Sequence, residues 1–311
     1  MDLREIEFFG KKGISLVEVI AKGGYGIIYK VYSKQYKTDF ALKKIPEKMF
    51  FDVEIECLMT IDDPNIVRLY QYFKYEDYIY MLMEFCPNDL DRLLKYRKHV
   101  DDDELQKYIH DMLLAVKACH DRNYAHSDIK PANFLLDKYG RVKIGDFGLS
   151  AKCDKNESCH CLKGTTLFMA PEIFTQEDYN PMKADIWALG VTLYFLATRQ
   201  YPFISQDLTE LKMRIESGKY RDDIIHNIHL RELIASCITV DANKRPNIDE
   251  LLNYQYFHDN YNYNNSKLPK LHFGAKKPQI SERKSCMCFP SNFTLKSTRI
   301  PLRSISKINL H

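Results

Sequence analysis

Residues 125–136 read Ala-His-Ser-Asp-Ile-Lys-Pro-Ala-Asn-Phe-Leu-Leu, and this stretch decides how the rest of the chain is interpreted. Asp128, Lys130 and Asn133 stand two and three residues apart, on what we predict to be a loop between a helix and a strand. A carboxylate there can accept a proton from a hydroxyl, an ammonium can neutralise a phosphoryl group, and an amide oxygen can bind a hard cation. Taken alone, the stretch is also compatible with an ordinary polar loop.

Two further motifs carry charges at positions that predict burial. Asp146, in Ile-Gly-Asp-Phe-Gly at 144–148, follows a predicted strand among apolar residues, where a carboxylate is costly without a metal or partner. Lys43 closes Ala-Leu-Lys on the third predicted strand, and Glu54 on the following predicted helix can supply its counter-charge. The simpler readings are a turn aspartate and a surface lysine.

A fourth motif, Ala-Lys-Gly-Gly-Tyr-Gly-Ile-Ile at 21–28, places glycines between two predicted strands. Glycines let backbone N–H groups approach phosphate oxygens, although a plain hairpin turn is the alternative. A dinucleotide-binding motif would be followed by a helix, and here a strand follows.

In this order and at these separations, the four motifs resemble the signature of the eukaryotic protein kinases. The resemblance covers residues 14–258 and continues through Ala-Pro-Glu at 170–172, Asp-Ile-Trp-Ala-Leu-Gly at 185–190 and Arg-Pro at 245–246. It implies an α+β, two-lobed fold with a small, mainly antiparallel β lobe (14–86) and a larger helical lobe (87–258).

The resemblance also implies a role for individual residues. Asp128 would accept the substrate hydroxyl proton, Lys130 would steady the γ-phosphoryl group, and Lys43 would hold the α- and β-phosphates of ATP. The magnesium ligands would be Asn133 and Asp146. The implied ATP-binding residues are Ala21, Gly23, Gly26, Ile28, Ala41, Lys43, Glu54, Met83, Glu84, Cys86, Asp89 and Leu135.

Residues 130–133, Lys-Pro-Ala-Asn, resemble the serine/threonine branch of the family. The implied function is transfer of the γ-phosphoryl group of ATP to serine or threonine hydroxyls of protein substrates. In that branch Thr165 would bond Asp128 and Lys130. Two further implied features are an apolar stack of Leu58, Leu69, His126 and Phe147, and a buried pair of Glu172 and Arg245.

The chain departs from the family pattern at four places, three of which concern regulation. Ser127 replaces the Arg that precedes the catalytic Asp, and Cys161 occupies the usual phospho-acceptor position. We therefore expect activity without phosphorylation there, with Ser158, Thr165 or Thr166 as substitute acceptors in the alternative. Only ten residues separate Lys43 from Glu54, so we expect the helix to be held near its active position, or truncated.

Ala21 replaces the first expected glycine of the glycine-rich motif, and together with Ser127 it supports a different class of function. This alternative is a pseudokinase, a nucleotide-binding scaffold with the same fold. The presence of Lys43, Glu54, Asp128, Asn133 and Asp146 argues against it.

Composition limits the remaining possibilities. The formal net charge is only +3, so no nucleic-acid partner is expected, and the nine scattered cysteines are typical of reduced thiols inside a cell. The start of the chain is too polar for a signal peptide, and the longest apolar run, at 188–197, is about half a membrane span. We expect a cytoplasmic protein, with the nucleus as the alternative; the oligomeric state cannot be read.

Charge and pattern divide the chain into a short lead (1–13), a globular part (14–258) and a basic, mostly disordered tail (259–311). The tail carries ten Lys and Arg against two Asp and Glu. Acylation of Cys286 or Cys288 could bring it to a membrane, but docking on an acidic protein or no specific role is favoured. A second group, Cys153, Cys159, His160 and Cys161, could bind a metal, although its spacing matches no zinc pattern.

Overall fold

Runs of β-branched and aromatic residues between positions 14 and 84 form a five-stranded antiparallel sheet. The computed structural model describes residues 1–23, 26–97, 99–153, 164–175 and 178–258. The strands are β1 (Ile14–Gly23), β2 (Gly26–Ser33), β3 (Thr38–Pro46), β4 (Leu69–Tyr75) and β5 (Tyr78–Glu84). Their order is β1-β2-β3-β5-β4, so β3 lies at the centre of the sheet.

A helix that the sequence analysis did not foresee packs against this sheet. Residues 1–13 were expected to be a lead outside the globular part, but helix α1 (Leu3–Lys11) buries Glu5 and Phe9 against the small lobe. A capping box formed by Asp2 and Glu5 begins the helix. Phe9 packs edge-to-face on Tyr80 of β5, with ring centroids 4.9 Å apart. The folded region therefore begins before residue 14.

Helix α2 (Asp52–Thr60) lies between β3 and β4, where the sequence predicted a helix carrying Glu54. A single turn of 3-10 helix, Glu47–Met49, is the only other regular element between β3 and α2. The buried residues of helix α2 are Glu54, Cys57 and Leu58. The short connection keeps α2 beside the sheet.

The rest of the described chain is mainly helical. Its helices are α3 (Leu90–Tyr96), α4 (Asp102–His120), α5 (Pro171–Thr175), α6 (Pro181–Thr198), α7 (Leu208–Ser217), α8 (Ile228–Cys237) and α9 (Ile248–Leu252). The apolar run at 188–197 lies in α6, which is buried along most of its length. None of the helices in the described part of the chain is long and apolar enough to cross a bilayer.

Five very short strands organise the loops of this lobe. They are β6 (Asn88–Asp89), β7 (Tyr124–Ala125), β8 (Phe134–Leu136), β9 (Val142–Ile144) and β10 (Ala151–Lys152). β6, β8 and β9 form one small sheet, and β7 pairs with β10. The 126–133 loop runs from β7 to β8, and Asp146 follows β9. These elements confirm the predicted fold, an antiparallel small lobe with a helical large lobe.

Candidate active site

The first part of the candidate site is built on Lys43, near the middle of β3. Across the strands, Lys43 is paired with Ile28 and Met81. Its Nζ donates to Oε1 of Glu54 at 2.6 Å and to Oδ1 of Asp146 at 2.7 Å. One ammonium group therefore joins β3, helix α2 and the segment that follows β9.

Electrostatics keep this lysine and Asp146 charged at neutral pH. Burial alone would lower the Lys43 pKa, but the carboxylates of Asp146 and Glu54 outweigh burial and raise the pKa. Partial burial would raise the Asp146 pKa, but the Lys43 charge outweighs it and holds the pKa below its ordinary value. The Asp146 side chain is still 48% exposed, so it remains open to solvent while it is bonded to Lys43.

Asp128 is the centre of a second cluster, in the loop between β7 and β8. Its Oδ2 accepts hydrogen bonds from Lys130 Nζ at 2.7 Å and Asn133 Nδ2 at 3.1 Å. Its Oδ1 accepts from the backbone N–H and hydroxyl of Thr165, at 3.1 and 3.0 Å. Lys130 also donates to Thr165 Oγ1 at 2.9 Å, so the predicted contact of Thr165 with both residues is confirmed.

Asp185 of α6 holds the loop that carries Asp128 through hydrogen bonds to its backbone. The Asp185 carboxylate is buried and accepts hydrogen bonds from the backbone N–H groups of His126 and Ser127 at 2.7 and 2.8 Å. Ser127 has a φ of +65°, a left-handed conformation that is uncommon for residues other than glycine. A buried acceptor for two successive N–H groups stabilises this turn.

A cleft of about 910 Å³, part of it open to solvent, lies beside these clusters. It is lined by most of the residues predicted to bind ATP, namely Ala21, Ile28, Ala41, Lys43, Met83, Glu84, Cys86, Asp89 and Leu135. Asn133 and Asp146 line the same cleft. The sequence analysis missed Val67, which lines it too and is tied to β9 by a backbone hydrogen bond to Ile144 at 3.0 Å. No local motif marks that valine.

The two predicted glycines differ in their surroundings. A Cβ on Gly26 would lie 2.2 Å from the backbone carbonyl oxygen of Lys44, and Gly26 has a φ of +149°. A Cβ on Gly23 would meet nothing within 4 Å. Only Gly26 is therefore required by the close approach of two backbones. Gly24 and Tyr25 lie outside the described residues.

Two predicted ATP-binding residues also have structural partners. Asp89 caps α3, because its side chain accepts from the backbone N–H of Arg92 at 2.8 Å, and burial raises its pKa despite that bond. The Glu84 carboxylate lies 3.1 Å from Lys143 Nζ, and the Glu84 backbone N–H donates to the Arg68 carbonyl at 2.8 Å. Both residues nevertheless line the cleft.

The predicted apolar stack and the predicted buried ion pair are both present. The His126 and Phe147 rings are 5.0 Å apart; Leu58 is buried, and Leu69 packs against the same core. Glu172 and Arg245 form two buried hydrogen bonds, at 2.6 and 2.7 Å, as predicted. Breaking such a pair would leave one buried charge without a partner.

The chemistry of the donor set fits a magnesium ion accompanied by a polyphosphate. Mg²⁺ is usually held by one or two carboxylates together with substrate phosphates and water. Asp146 supplies a half-exposed carboxylate, and Asn133 uses its Nδ2 for Asp128, which leaves its amide oxygen outside those bonds. Within the described ranges, no three His, Cys, Asp or Glu side chains form a metal site by themselves.

Some predictions fall on residues that the structure does not describe. The possible metal group extends from Cys153 to Cys159, His160 and Cys161, of which only Cys153 is described. The substitute phospho-acceptor Ser158 and the whole tail from residue 259, with Cys286 and Cys288, are also outside the described residues.

Comparison with known proteins identifies the family. A sequence model of the protein kinase domain matches residues 14–257. The mouse inactive serine/threonine-protein kinase PLK5 is 32% identical over 250 residues, which are 77% of this chain and 42% of that protein. Mouse sperm motility kinase 3A is 31% identical over 242 residues, 76% of this chain and 48% of that protein.

A third relative, mouse testis-specific serine/threonine-protein kinase 1, is 31% identical over 254 residues, covering 76% of this chain and 69% of that protein. The chain spans about half the length of the first curated relatives that it matches. Because the kinase-domain model covers most of the sequence, the chain belongs to the protein kinase family.

Proposed function

We propose that this chain is an active protein kinase that transfers the γ-phosphoryl group of ATP to serine and threonine hydroxyls of proteins. The observation that carries the proposal is the double hydrogen bond of Lys43 to Glu54 and Asp146, at 2.6 and 2.7 Å. It brings three residues from distant parts of the sequence into one charged cluster beside the cleft. Because the cluster holds one ammonium and two carboxylates, it would bind a polyphosphate together with magnesium, and helix α2 already lies where that site needs it.

ATP is the proposed first substrate. The adenine ring would lie among the apolar side chains of Ile28, Ala41 and Leu135, which line the cleft. Lys43 would hold the α- and β-phosphates. Asp146 and Asn133 would hold magnesium, which neutralises phosphate charge when it is bound.

Asp128 and Lys130 are the proposed groups at the transfer step. The acceptor hydroxyl oxygen forms a bond to the γ-phosphorus while the bond from that phosphorus to the β–γ bridging oxygen breaks, and ADP leaves with the electron pair. The hydroxyl proton passes to the Asp128 carboxylate. Lys130, 2.7 Å from Asp128, neutralises charge on the transferred group.

The protein substrate would enter beside Asp128. A narrow pocket, partly open to solvent, lies next to Asp128 and Thr165. Its apolar lining includes Phe168, Met169, Ile173 and Tyr179. We propose that it accepts an apolar side chain that neighbours the acceptor hydroxyl.

Contacts of the 126–133 loop favour activity without a phosphate on the segment between Asp146 and Thr165, the activation loop. Ser127 stands where the family has the Arg that grips such a phosphate, and its backbone is already anchored to Asp185. Thr165 is hydrogen-bonded to both Asp128 and Lys130, so phosphorylation of its hydroxyl would disrupt these contacts. We therefore propose that the loop is ordered by Asp185 and Thr165.

A pseudokinase scaffold remains the alternative, and the printed name of the mouse PLK5 relative describes that protein as inactive. The two functions differ in one measurement. An active kinase transfers radiolabelled phosphate from [γ-³²P]ATP to serine or threonine of a protein, whereas a scaffold binds nucleotide without transfer.

The test compares the full chain with Asp128→Asn and Asp137→Asn. Asp137 is an equally buried carboxylate, bonded to Arg141 in the turn between β8 and β9. We expect Asp128→Asn to lose transfer by roughly a thousandfold while it still binds ATP. Asp137→Asn should lose stability and keep transfer. Absence of transfer in the parent chain would contradict the proposal.

A further inference from the structure

Helix α2 carries another glutamate, Glu56, that the proposed phosphoryl transfer does not use. Two residues along a helix are separated by about 200° around its axis, so Glu56 cannot share the Lys43 contact of Glu54. Instead, its Oε1 accepts a hydrogen bond from the Tyr124 hydroxyl at 2.8 Å. Lys152 Nζ lies 3.5 Å from the same oxygen.

The partners of Glu56 belong to the two segments that frame the site. Tyr124 is in β7, four residues before Asp128, and Lys152 is in β10, six residues after Asp146. β7 and β10 pair with each other, with Lys152 opposite Tyr124. Glu56 therefore links helix α2 to the β7–β10 pair, which lies between the Asp128 loop and the residues that follow Asp146.

The tyrosine contact is the stronger of the two. Tyr124 is only 2% exposed, and burial together with the Glu56 hydrogen bond raises its pKa to about 12, so its hydroxyl keeps the proton that it donates. The Lys152 and Glu56 side chains are about half exposed, and an ion pair between exposed groups contributes little.

Helix α2 needs such a contact because its own support is weak. It has nine residues, and no side chain caps its first turn at Phe51. Isolated helices of this length are marginal in water and depend on tertiary contacts. Glu54 holds one side of the helix through Lys43, and Glu56 holds another through Tyr124.

We propose that Glu56 and Tyr124 are positioning residues that keep Glu54 against Lys43, and that this contact holds α2 in place without any phosphorylated residue. The proposal rests on the proposed function, because its catalytic consequence exists only in an active kinase. The presence of Ser127 in place of an Arg agrees with the proposal, because a contact through Tyr124 needs neither an Arg nor a phosphate.

The test measures kcat at saturating ATP and melting temperature for Tyr124→Phe, Glu54→Gln and the double variant of the full chain. Tyr124→Phe should lower kcat by roughly three- to tenfold, the effect of one lost hydrogen bond. In the Glu54→Gln background it should lower kcat by less than about twofold, because the contact that it protects is already lost. A purely structural role would give the same fold-loss in both backgrounds and would overturn the proposal.

Two control variants distinguish a loss of Glu54 positioning from a general loss of stability. Tyr108 of α4 is another buried tyrosine, whose hydroxyl donates to Glu104 at 2.5 Å. Tyr108→Phe should lower the melting temperature and leave kcat unchanged. Lys152→Met should change kcat by less than about twofold. A kcat for Tyr124→Phe equal to that of the parent would overturn the proposal.

Amide hydrogen exchange of residues 52–60 keeps the test independent of activity. We expect faster exchange throughout α2 in Tyr124→Phe and parent-like exchange in Tyr108→Phe. If the parent chain transfers no phosphate, the proposed function fails, and exchange alone then decides whether Tyr124 holds α2. Unchanged exchange in Tyr124→Phe would overturn the proposal in either case.

Discussion

Gly26 shows how a single residue sets the distance between two strands. The Lys44 carbonyl is part of the β3 backbone and cannot rotate away from a Cβ placed 2.2 Å from it. Lys44 follows Lys43 directly, so any shift of this carbonyl would disturb the lysine that we assign to the phosphates. The requirement for glycine at this position thus comes from the close packing of two backbones.

We expect Gly26→Ala to raise the KM for ATP by roughly tenfold or more and to lower the melting temperature, because β2 and β3 must separate. Gly23→Ala is the matched control, since its new methyl group would meet nothing within 4 Å. Steady-state kinetics and thermal melting of both variants test this expectation. Equal effects of the two substitutions would contradict it.

At the scale of elements, α1 is an integral part of the small lobe. Glu5 is 2% exposed and accepts hydrogen bonds from the Tyr80 hydroxyl, from Lys44 Nζ and, at 2.8 Å, from the Asp2 backbone. Burial would raise the Glu5 pKa, but these donors outweigh it and lower the pKa below its ordinary value of 4.5. The helix is therefore connected to β3 and β5 through one buried carboxylate.

A lowered pKa in the folded state means that Glu5 stabilises the fold most when it is fully ionised. We expect Glu5→Gln to be less stable than the parent by roughly 1–3 kcal/mol at pH 7. The difference should persist down to about pH 5 and shrink as the pH falls below 4.5, through the lowered folded pKa.

Urea unfolding at several pH values measures this difference, with Glu7→Gln as the control. Glu7 lies on the same helix and pairs only with exposed Lys11, at 2.8 Å, so its substitution should have no measurable effect. If the difference in unfolding free energy between Glu5→Gln and the parent grew on acidification, the direction assigned to the Glu5 pKa shift would be wrong.

The sequence contained the signal for α1, because Asp2 and Glu5 have capping-box spacing, yet its short length made a lead segment the simpler interpretation. The fold followed from motifs that resemble a known family. Residue chemistry alone does not bring Lys43 to Asp146, 103 residues away. The Tyr124–Glu56 contact joins residues 68 apart without any local pattern, and only the packed structure reveals it.

At the scale of the whole molecule, the described contacts around the site are made between groups of the protein itself. Glu54 already contacts Lys43, and Thr165 already contacts Asp128. We therefore expect the purified chain to keep its transfer activity after treatment with a phosphatase. Mass spectrometry must confirm that phosphate has been removed from residues 154–166. A large loss of activity that returns on rephosphorylation would contradict this account.

Residues of both lobes form the site that we propose for ATP and magnesium. Calorimetric titration with ATP, with and without Mg²⁺, tests this assignment directly on the parent, Asp146→Asn and the control Asp137→Asn. We expect Mg²⁺ to tighten ATP binding to the parent and the control. The ratio of ATP affinity with Mg²⁺ to ATP affinity without it should fall by roughly tenfold or more in Asp146→Asn. ATP binding that is absent from the parent, or a magnesium gain that survives in Asp146→Asn, would contradict the account.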